Sequence, residues 1–451
     1  MSANFKETVL FFSTKYKEYL IVILFAIFYR LLLKLFLFDE VIIANDSVSY
    51  LNLANKIADF NLIGYDGTRT PGYPILLLLA FNSVKTVVFY QHILGIITAL
   101  LWYKTILNFR FSRKNSLWIT LFLQFFLSLY FYESVILVES LCLFLISIVF
   151  YLISNDYINN KSFKVDIIMS FILGCLTLTK PFFVFIPFVI YGFIIIKNFN
   201  FKKIINPRIS ILLFSLISYL GWSYVNKINT GSFTSSTYMG FNIAQNCVYF
   251  AEKAPKEYKW IYEPYAKRRD LILKKDKNQS AAMAIWEIYT IGVYDYKKLS
   301  FTELSNELGK YAVETIKNNP KEYFRQVITK SWFDFWKSSI AVNKNDFKSN
   351  DNQFIVFYII WFIQNKILVV FKLSFLLLVP FYIYKFLKNR VITNELIIVA
   401  IIFTTSILQG LITYGTNSRY GFPFEYLIIL IVILFIRNTI KLPRFLSNYL
   451  Q

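Results

Sequence analysis

The residues best suited to chemistry sit early in the chain, in "IIANDSVSYLNLANKIADFNLIGYDGTRTPGYP", residues 42–74. Asp46, Tyr50 and Ala54 recur at a spacing of four, which stacks them on one stripe of a helix. A carboxylate there has two readings. It is an N-cap, alone or with Asn45, for a helix over 47–59, or it is a general acid or base. Arg69 stands just before Pro71, Gly72 and Pro74. Proline fixes its own φ and restricts its predecessor, while glycine permits close approach. Such a turn either holds a cation at a phosphate or begins a helix with its arginine among lipid headgroups.

Other ionisable residues border apolar runs. Glu139 lies in "LVES", just inside such a run, where a charge is costly and so marks function. Lys180 ends "LTLTKP" and has two readings, phosphate contact or snorkelling toward the headgroups. Arg419 and Tyr420 open "SRYGFPFEYL". Arg30 and Lys34 share a face of the first apolar run and are expected to pair with a neighbouring helix or to line the cavity rather than to act in catalysis. Glu133, Asp39 and Glu40 are expected to be solvated interfacial acids.

The elements that must position these groups cross a membrane. The 451 residues are 56% hydrophobic and 17% charged, with 48 Phe and 32 Tyr, more apolar surface than one soluble core can hide. About ten spanning helices are read at roughly 18–38, 86–108, 116–132, 135–154, 166–180, 182–197, 209–226, 364–388, 394–414 and 421–437. The net charge of +21 falls in short basic clusters such as "RFSRKN", "NNKSFK" and "KFLKNR". Those clusters fit cytoplasmic loops better than a nucleic-acid face. Both termini are then expected to be cytoplasmic, in an inner (plasma) membrane. The first apolar run lacks a cleavage-site pattern and is expected to be a retained helix.

Three regions follow: 1–226, a transmembrane module containing an outer loop at 39–85; 227–350, a largely helical extracytoplasmic region; and 351–451, the last transmembrane helices. Within the middle region, residues 306–336 show apolar spacing near 3.6 and are expected to form a helix along the membrane surface. The stretch 229–246 is rich in Gly, Ser, Thr and Asn and reads as a loop closing over a site or as a flexible helix exit. His92 is the one histidine, which argues against a histidine metal site or a Ser-His-Asp triad. Cys142, Cys175 and Cys247 form no zinc spacing.

An Asp-x-x-x-Tyr-x-x-x-Ala helix in the first outer loop, a basic residue before a "PGYP" turn, and then "LVES", "LTLTKP", "NTGSFTSSTYMGFNIAQN" and "SRYGFPFEYL" follow one another in this order. Together they resemble the GT-C class of multi-pass, lipid-dependent glycosyltransferases. The nearest group is family 39, with its protein O-mannosyltransferases and lipid A aminoarabinose transferase. The resemblance covers most of the chain through short, tolerant motifs. It implies an all-α integral membrane fold with Asp46 as the catalytic acidic residue. It implies Arg69, Lys180 and Arg419 against a donor phosphate, with Tyr50, Glu139 and Tyr420 in the substrate pocket.

The partners implied are a polyprenyl-phosphate sugar donor and a glycan, lipid or protein acceptor, with no nucleic acid. The sequence departs from the pattern at Ser47, where many relatives carry a second acid, and in having one proline at 71. The chemistry suits the residue types: a carboxylate takes the acceptor proton, and arginines stabilise the departing phosphate. An unpaired Asp46 near lipid is expected to have a raised pKa. No cofactor is expected, and metal independence is favoured because the first loop lacks a His cluster or an Asp-x-Asp pair. The rival readings are a lipid-linked sugar flippase and a polymerase or ligase using a diphosphate-linked donor.

Overall fold

A computed structural model describes residues 16–36, 41–160, 162–197, 207–277, 279–338 and 351–439. Asp39, Glu40, the N-terminal lysines 6 and 15, and most of the basic stretches at 197–208 and 437–445 fall outside these segments. The described residues are helical, with one isolated bridge pairing Ile42 with Val135 and no other strand pairing.

The N-terminal half contains α1 (Lys17–Phe36), α2 (Asn45–Ala58), α3 (Gly72–Leu79), α4 (Val84–Asn108), α5 (Arg113–Gln124), α6 (Leu127–Ser134), α7 (Glu139–Ser154), α8 (Phe163–Thr179), α9 (Ile186–Lys197) and α10 (Leu213–Thr230). The middle of the chain adds α11 (Met239–Gln245), α12 (Lys259–Lys275), α13 (Ala284–Thr290), α14 (Phe301–Asn318), α15 (Pro320–Gln326) and α16 (Trp332–Phe335). The last part comprises α17 (Asp351–Asn389), α18 (Asn394–Ile412), α19 (Ser418–Gly421) and α20 (Glu425–Thr439).

Among the described residues six helical spans are long and apolar enough to cross a membrane, Lys17–Phe36, Val84–Asn108, Pro207–Thr230, Asn352–Asn389, Asn394–Ile412 and Ser418–Thr439, or seven if the bent pair Arg113–Gln124 and Leu127–Ser134 is one span. Glu139–Ser154 and Pro181–Lys197 are shorter apolar helices. The chain is a multi-pass membrane protein, since a hydrophobic backbone this extensive can satisfy its own polar groups in lipid only as helices. The segment read as one helix at 116–132 is instead two, bent by 54° between α5 and α6. Gln364 bridges that break, accepting from Leu127 N at 2.9 Å and donating to Phe125 O at 2.8 Å. A long side chain from α17 thus replaces the hydrogen bonds lost at the kink.

Two cores organise the molecule. The larger gathers α3, α4, α7, α8, α9, α18 and α20 around Trp102, Phe150, Phe183 and Phe424. The smaller, from the middle of the chain, surrounds Phe241, Tyr265, Ile285, Leu308 and Tyr311. Here α14 begins at a reciprocal cap: Ser300 Oγ accepts from Glu303 N, and Glu303 Oε2 accepts from Ser300 N. The apolar stripe expected to lie along the membrane is used inside the protein. Leu304, Leu308, Tyr311 and Ala312 are buried in this second core. Many tyrosines and tryptophans of this region are core residues as well: Tyr265 and Tyr311 are fully buried, and Trp286 stacks on Phe241 at 4.2 Å.

Candidate active site

Helix α7 starts at Glu139, α8 ends beside Lys180 and the last span starts near Arg419, so all three residues lie at helix ends. The α2–α3 segment joins them through the short bridge, in which Ile42 N donates to Ser134 O and Ile136 N donates to Ile42 O, each at 3.1 Å. This fixes the entry to α2 within a few residues of the start of α7.

Asp46 lies in the first turn of α2, where the helix dipole favours an anion. It does not serve as the N-cap. That position is Ala44, and Ser47 Oγ accepts from Ala44 N at 2.9 Å while donating to Ile136 O at 2.8 Å. Ser47 is fully buried. A second carboxylate in its place would be desolvated and, having no proton, would face the Ile136 carbonyl without donating to it, which is a physical reason for the departure at this position.

The turn after α2 positions Arg69. Gly72 approaches the end of α8 so closely that a Cβ there would stand 2.7 Å from the Leu178 carbonyl. Gly67, at φ +76°, would set a Cβ 2.7 Å from Thr237 Cγ2. Trp222 Nε1 donates to Arg69 O at 3.0 Å, and the Tyr65 hydroxyl donates to the same carbonyl. With its backbone held, Arg69 donates from Nη2 to Asp46 Oδ1 at 2.7 Å, from Nε to Ser49 Oγ at 2.7 Å and from Nη1 to Tyr50 OH at 3.2 Å. Its guanidinium also lies over the Tyr50 and Tyr238 rings, at 4.4 and 4.8 Å.

On the other side, Arg419 Nη1 donates to Asp46 Oδ2 at 2.7 Å, and its Nε donates to Glu139 Oε1 at 2.8 Å. Lys180 Nζ reaches the same Glu139 oxygen at 3.2 Å and sits 4.0 Å over the Tyr420 ring. Lys180 is buried and its ammonium is turned to Glu139. Its extended backbone, φ −140° and ψ 101°, is what Pro181 imposes on the preceding residue, and it turns the chain off α8 at this lysine. The loop carrying Arg419 is held by Asp334, whose Oδ2 accepts from Gly415 N at 3.0 Å and Asn417 N at 3.1 Å.

All seven residues singled out in the sequence therefore converge. Asp46, Arg69, Arg419, Glu139 and Lys180 form one chain of ion pairs, with Tyr50 and Tyr420 as the aromatic faces under its cations. Three cations meet two carboxylates, leaving an excess of one positive charge. Glu139 is fully buried, and its Oε2 has no partner among the described residues. The Asp46 side chain is 36% exposed, so the network opens outward at that residue.

Sequence reasoning missed Ser49, Tyr238 and Asp334. Ser49 shares the Asp46 face at a spacing of three and was within reach of the helical pattern. Tyr238 falls within the 229–246 stretch read as a loop closing over a site, though the tyrosine itself was not singled out, whereas Asp334 arrives from a distant segment and carries no local signal.

The expected raised pKa of Asp46 is overturned. Burial pushes it up, but the nearby charges and hydrogen bonds of Arg69 and Arg419 outweigh burial and hold the carboxyl well below its usual range. Burial raises the Tyr50 and Tyr238 phenols, with Arg69 opposing, which keeps both as neutral hydroxyls. Among the described residues no group of three or more His, Cys, Asp or Glu side chains is placed to hold a metal ion.

Two solved structures resemble this one. The apo oligosaccharyltransferase of Archaeoglobus fulgidus matches with a TM-score of 0.49 and 13% identity, over 96% of this chain and 52% of that one. The chain spans about half of that protein's length. ArnT from Cupriavidus metallidurans, bound to undecaprenyl phosphate, matches with a TM-score of 0.35 and 10% identity, over 94% of this chain and 78% of that one. No family model and no curated protein matches the chain.

The remaining expectations concern other charges. Glu133 is not a solvated acid: it is buried, accepts from Arg30 Nε and Nη2 at 2.7 and 2.6 Å, and pairs with His92 Nδ1 at 2.8 Å. Arg30 thus pairs across helices as expected, whereas Lys34 on the same helix is exposed.

Proposed function

We propose that the protein is a membrane glycosyltransferase that moves a sugar from a polyprenyl-phosphate carrier to an acceptor on the outer face of the membrane. The observation supporting this most directly is that one carboxylate, Asp46, is partly exposed and shared by two arginines in an ion-pair network carrying one surplus positive charge. A sugar phosphodiester carries a single negative charge, so it balances that surplus. The departing phosphate monoester moves toward two charges, and the demand on Arg69, Arg419 and Lys180 rises as the bond breaks. Interactions that strengthen in this way lower the barrier. A diphosphate-linked donor would begin with the larger charge and fit the surplus less well.

In this reading the donor phosphate takes over the guanidinium groups that Asp46 now occupies. The carboxylate then loses the contacts that depress its pKa and becomes the stronger base. Asp46 accepts the acceptor's hydroxyl proton, the acceptor oxygen bonds to the anomeric carbon, and the carbon–oxygen bond to phosphate breaks with its electron pair leaving on the phosphate. Tyr50 and Tyr420 keep the arginine and lysine in place. Both termini are cytoplasmic in an inner (plasma) membrane, and the regions 39–85 and 227–350 face outward.

The test is transfer from a radiolabelled polyprenyl-phosphate sugar in vesicles holding the purified protein. Label moving into acceptor with release of polyprenyl phosphate supports the reading. Label crossing the membrane still attached to its lipid would establish the flippase instead.

A further inference from the structure

Away from the ion-pair network, an uncharged groove of about 390 Å³ with mixed polar and apolar walls opens between residues 232–243 and helix α14. Ser232, Thr234, Ser236, Thr237, Ser305 and Asn306 line it, and no charged side chain does. Its base is main chain. Gly240 and Gly309 face each other where α11 crosses α14, and a Cβ on Gly240 would lie 1.7 Å from Ser305 O. Phe233, Met239 and Val313 add exposed apolar surface at the rim.

The hydrogen-bonding state of the lining selects its ligand. Thr234 Oγ1 donates to Ser236 O, Ser236 Oγ to Thr68 O and Thr237 Oγ1 to Asp66 O, at 2.8–2.9 Å, and Ser305 Oγ donates to Thr237 O. A hydroxyl has one proton and two lone pairs. These four have committed their protons to backbone carbonyls, so toward a ligand they offer acceptors. Ser232 Oγ accepts from Asn306 Nδ2 at 2.9 Å and keeps its own proton, so the lining is richer in acceptors than donors and carries no cation; it disfavours phosphate or carboxylate and favours a neutral ligand rich in hydroxyls, with the Phe233 ring available to its C–H face.

The groove is coupled to the reaction site through residues 234–238. Ser236 and Thr237 grip the backbone of Asp66 and Thr68, just before Arg69, and Tyr238 covers the Arg69 guanidinium at 4.8 Å. We propose that this groove is an acceptor subsite binding the neutral, hydroxyl-rich part of a carbohydrate, away from the hydroxyl that receives the new sugar. The proposal rests on the glycosyl-transfer reading and makes the acceptor a glycan rather than a peptide.

Full-length protein in lipid nanodiscs tests this by saturation-transfer NMR with neutral oligosaccharides of glucose, mannose and N-acetylglucosamine at millimolar concentration. A neutral Ser/Thr-rich peptide serves as the rival, and undecaprenyl phosphate binding is followed in parallel by native mass spectrometry. The expected result is contact with at least one oligosaccharide series, weakened about tenfold by Val313→Trp, which fills the groove from an exposed position. Asn306→Ala, which removes a groove-side amide and its hydrogen bond to Ser232 Oγ, should weaken it less, with undecaprenyl phosphate binding unchanged in both variants. If Val313→Trp fails to fold, the smaller Asn306→Ala carries the comparison. The proposal is overturned if no oligosaccharide contacts the wild type, if contact is indifferent to the substitutions, or if only the peptide binds. Loss of lipid-phosphate binding alone would count against the transferase reading and leave the groove's carbohydrate binding standing.

Discussion

Two carboxylates in this protein each lie between two cationic or potentially cationic side chains, with opposite consequences. Glu133 is gripped by both nitrogens of a single arginine fork and by His92, and its side chain is 4% exposed. The cluster is sealed: a Cβ on Gly95 would lie 1.9 Å from Glu133 Oε1. Asp46 instead takes one contact from each of two arginines on different elements and is 36% exposed. A fork closed on one acid leaves no coordination for a ligand. Two arginines that each give Asp46 a single nitrogen, and hold other partners with the rest, can exchange that acid for phosphate with their remaining contacts in place. The comparison teaches that residue type does not separate a structural ion pair from a reactive one. Denticity and access do.

Asp46→Asn should break the open site most severely. It keeps the shape but removes the base, and transfer in the vesicle assay should fall by roughly 10²–10⁴-fold, the range typical of general-base loss, with the protein still folded and inserted. Full activity would remove Asp46 from the mechanism. Arg69→Lys should lose roughly 10²–10³-fold in kcat, because a point charge cannot hold Ser49, Tyr50 and phosphate at once as the fork does; single-turnover rates would report this.

Glu133→Gln sharpens the contrast from the other side. Breaking a buried pair typically costs about 3–5 kcal/mol of stability, so thermal unfolding in detergent should drop clearly while activity per folded molecule stays within about twofold. Loss of activity without loss of stability would put Glu133 in the chemistry. The smallest effect expected is in pH. The folded state holds Asp46 below its unfolded pKa of about 3.9, so its stabilising contribution is complete above that value and is lost only as pH falls through the lower folded one. Detergent stability of wild type relative to Asp46→Asn should therefore stay constant from neutrality down to about pH 4 and narrow only below it.

Much of the site was legible in sequence because its parts obey local rules. The Asp46–Tyr50 stripe follows helical period, the Arg69 turn is written in proline and glycine, and Lys180 is stopped by Pro181. Glu139 stands out because charge is costly within an apolar run. The failures share a different cause. The pKa direction at Asp46 and the burial of Glu133 depend on partners 23 to 373 residues away, and no local pattern contains them. In 306–336 periodicity identified an apolar face but not what covers it: Leu308, Tyr311 and Ala312 are buried inside the protein, whereas Phe324, Ile328 and Phe333 are exposed.

The sequence by itself determined that this chain crosses a membrane as helices, since its apolar content permits no other state, and it determined which polar residues stand at the helix ends. Only the tertiary structure decided which of those charges meet, which oxygen of each carboxylate is engaged and which acid stays open to the outside. Pairing depends on distances set by helix packing, and those distances join residues that the linear order keeps hundreds of positions apart.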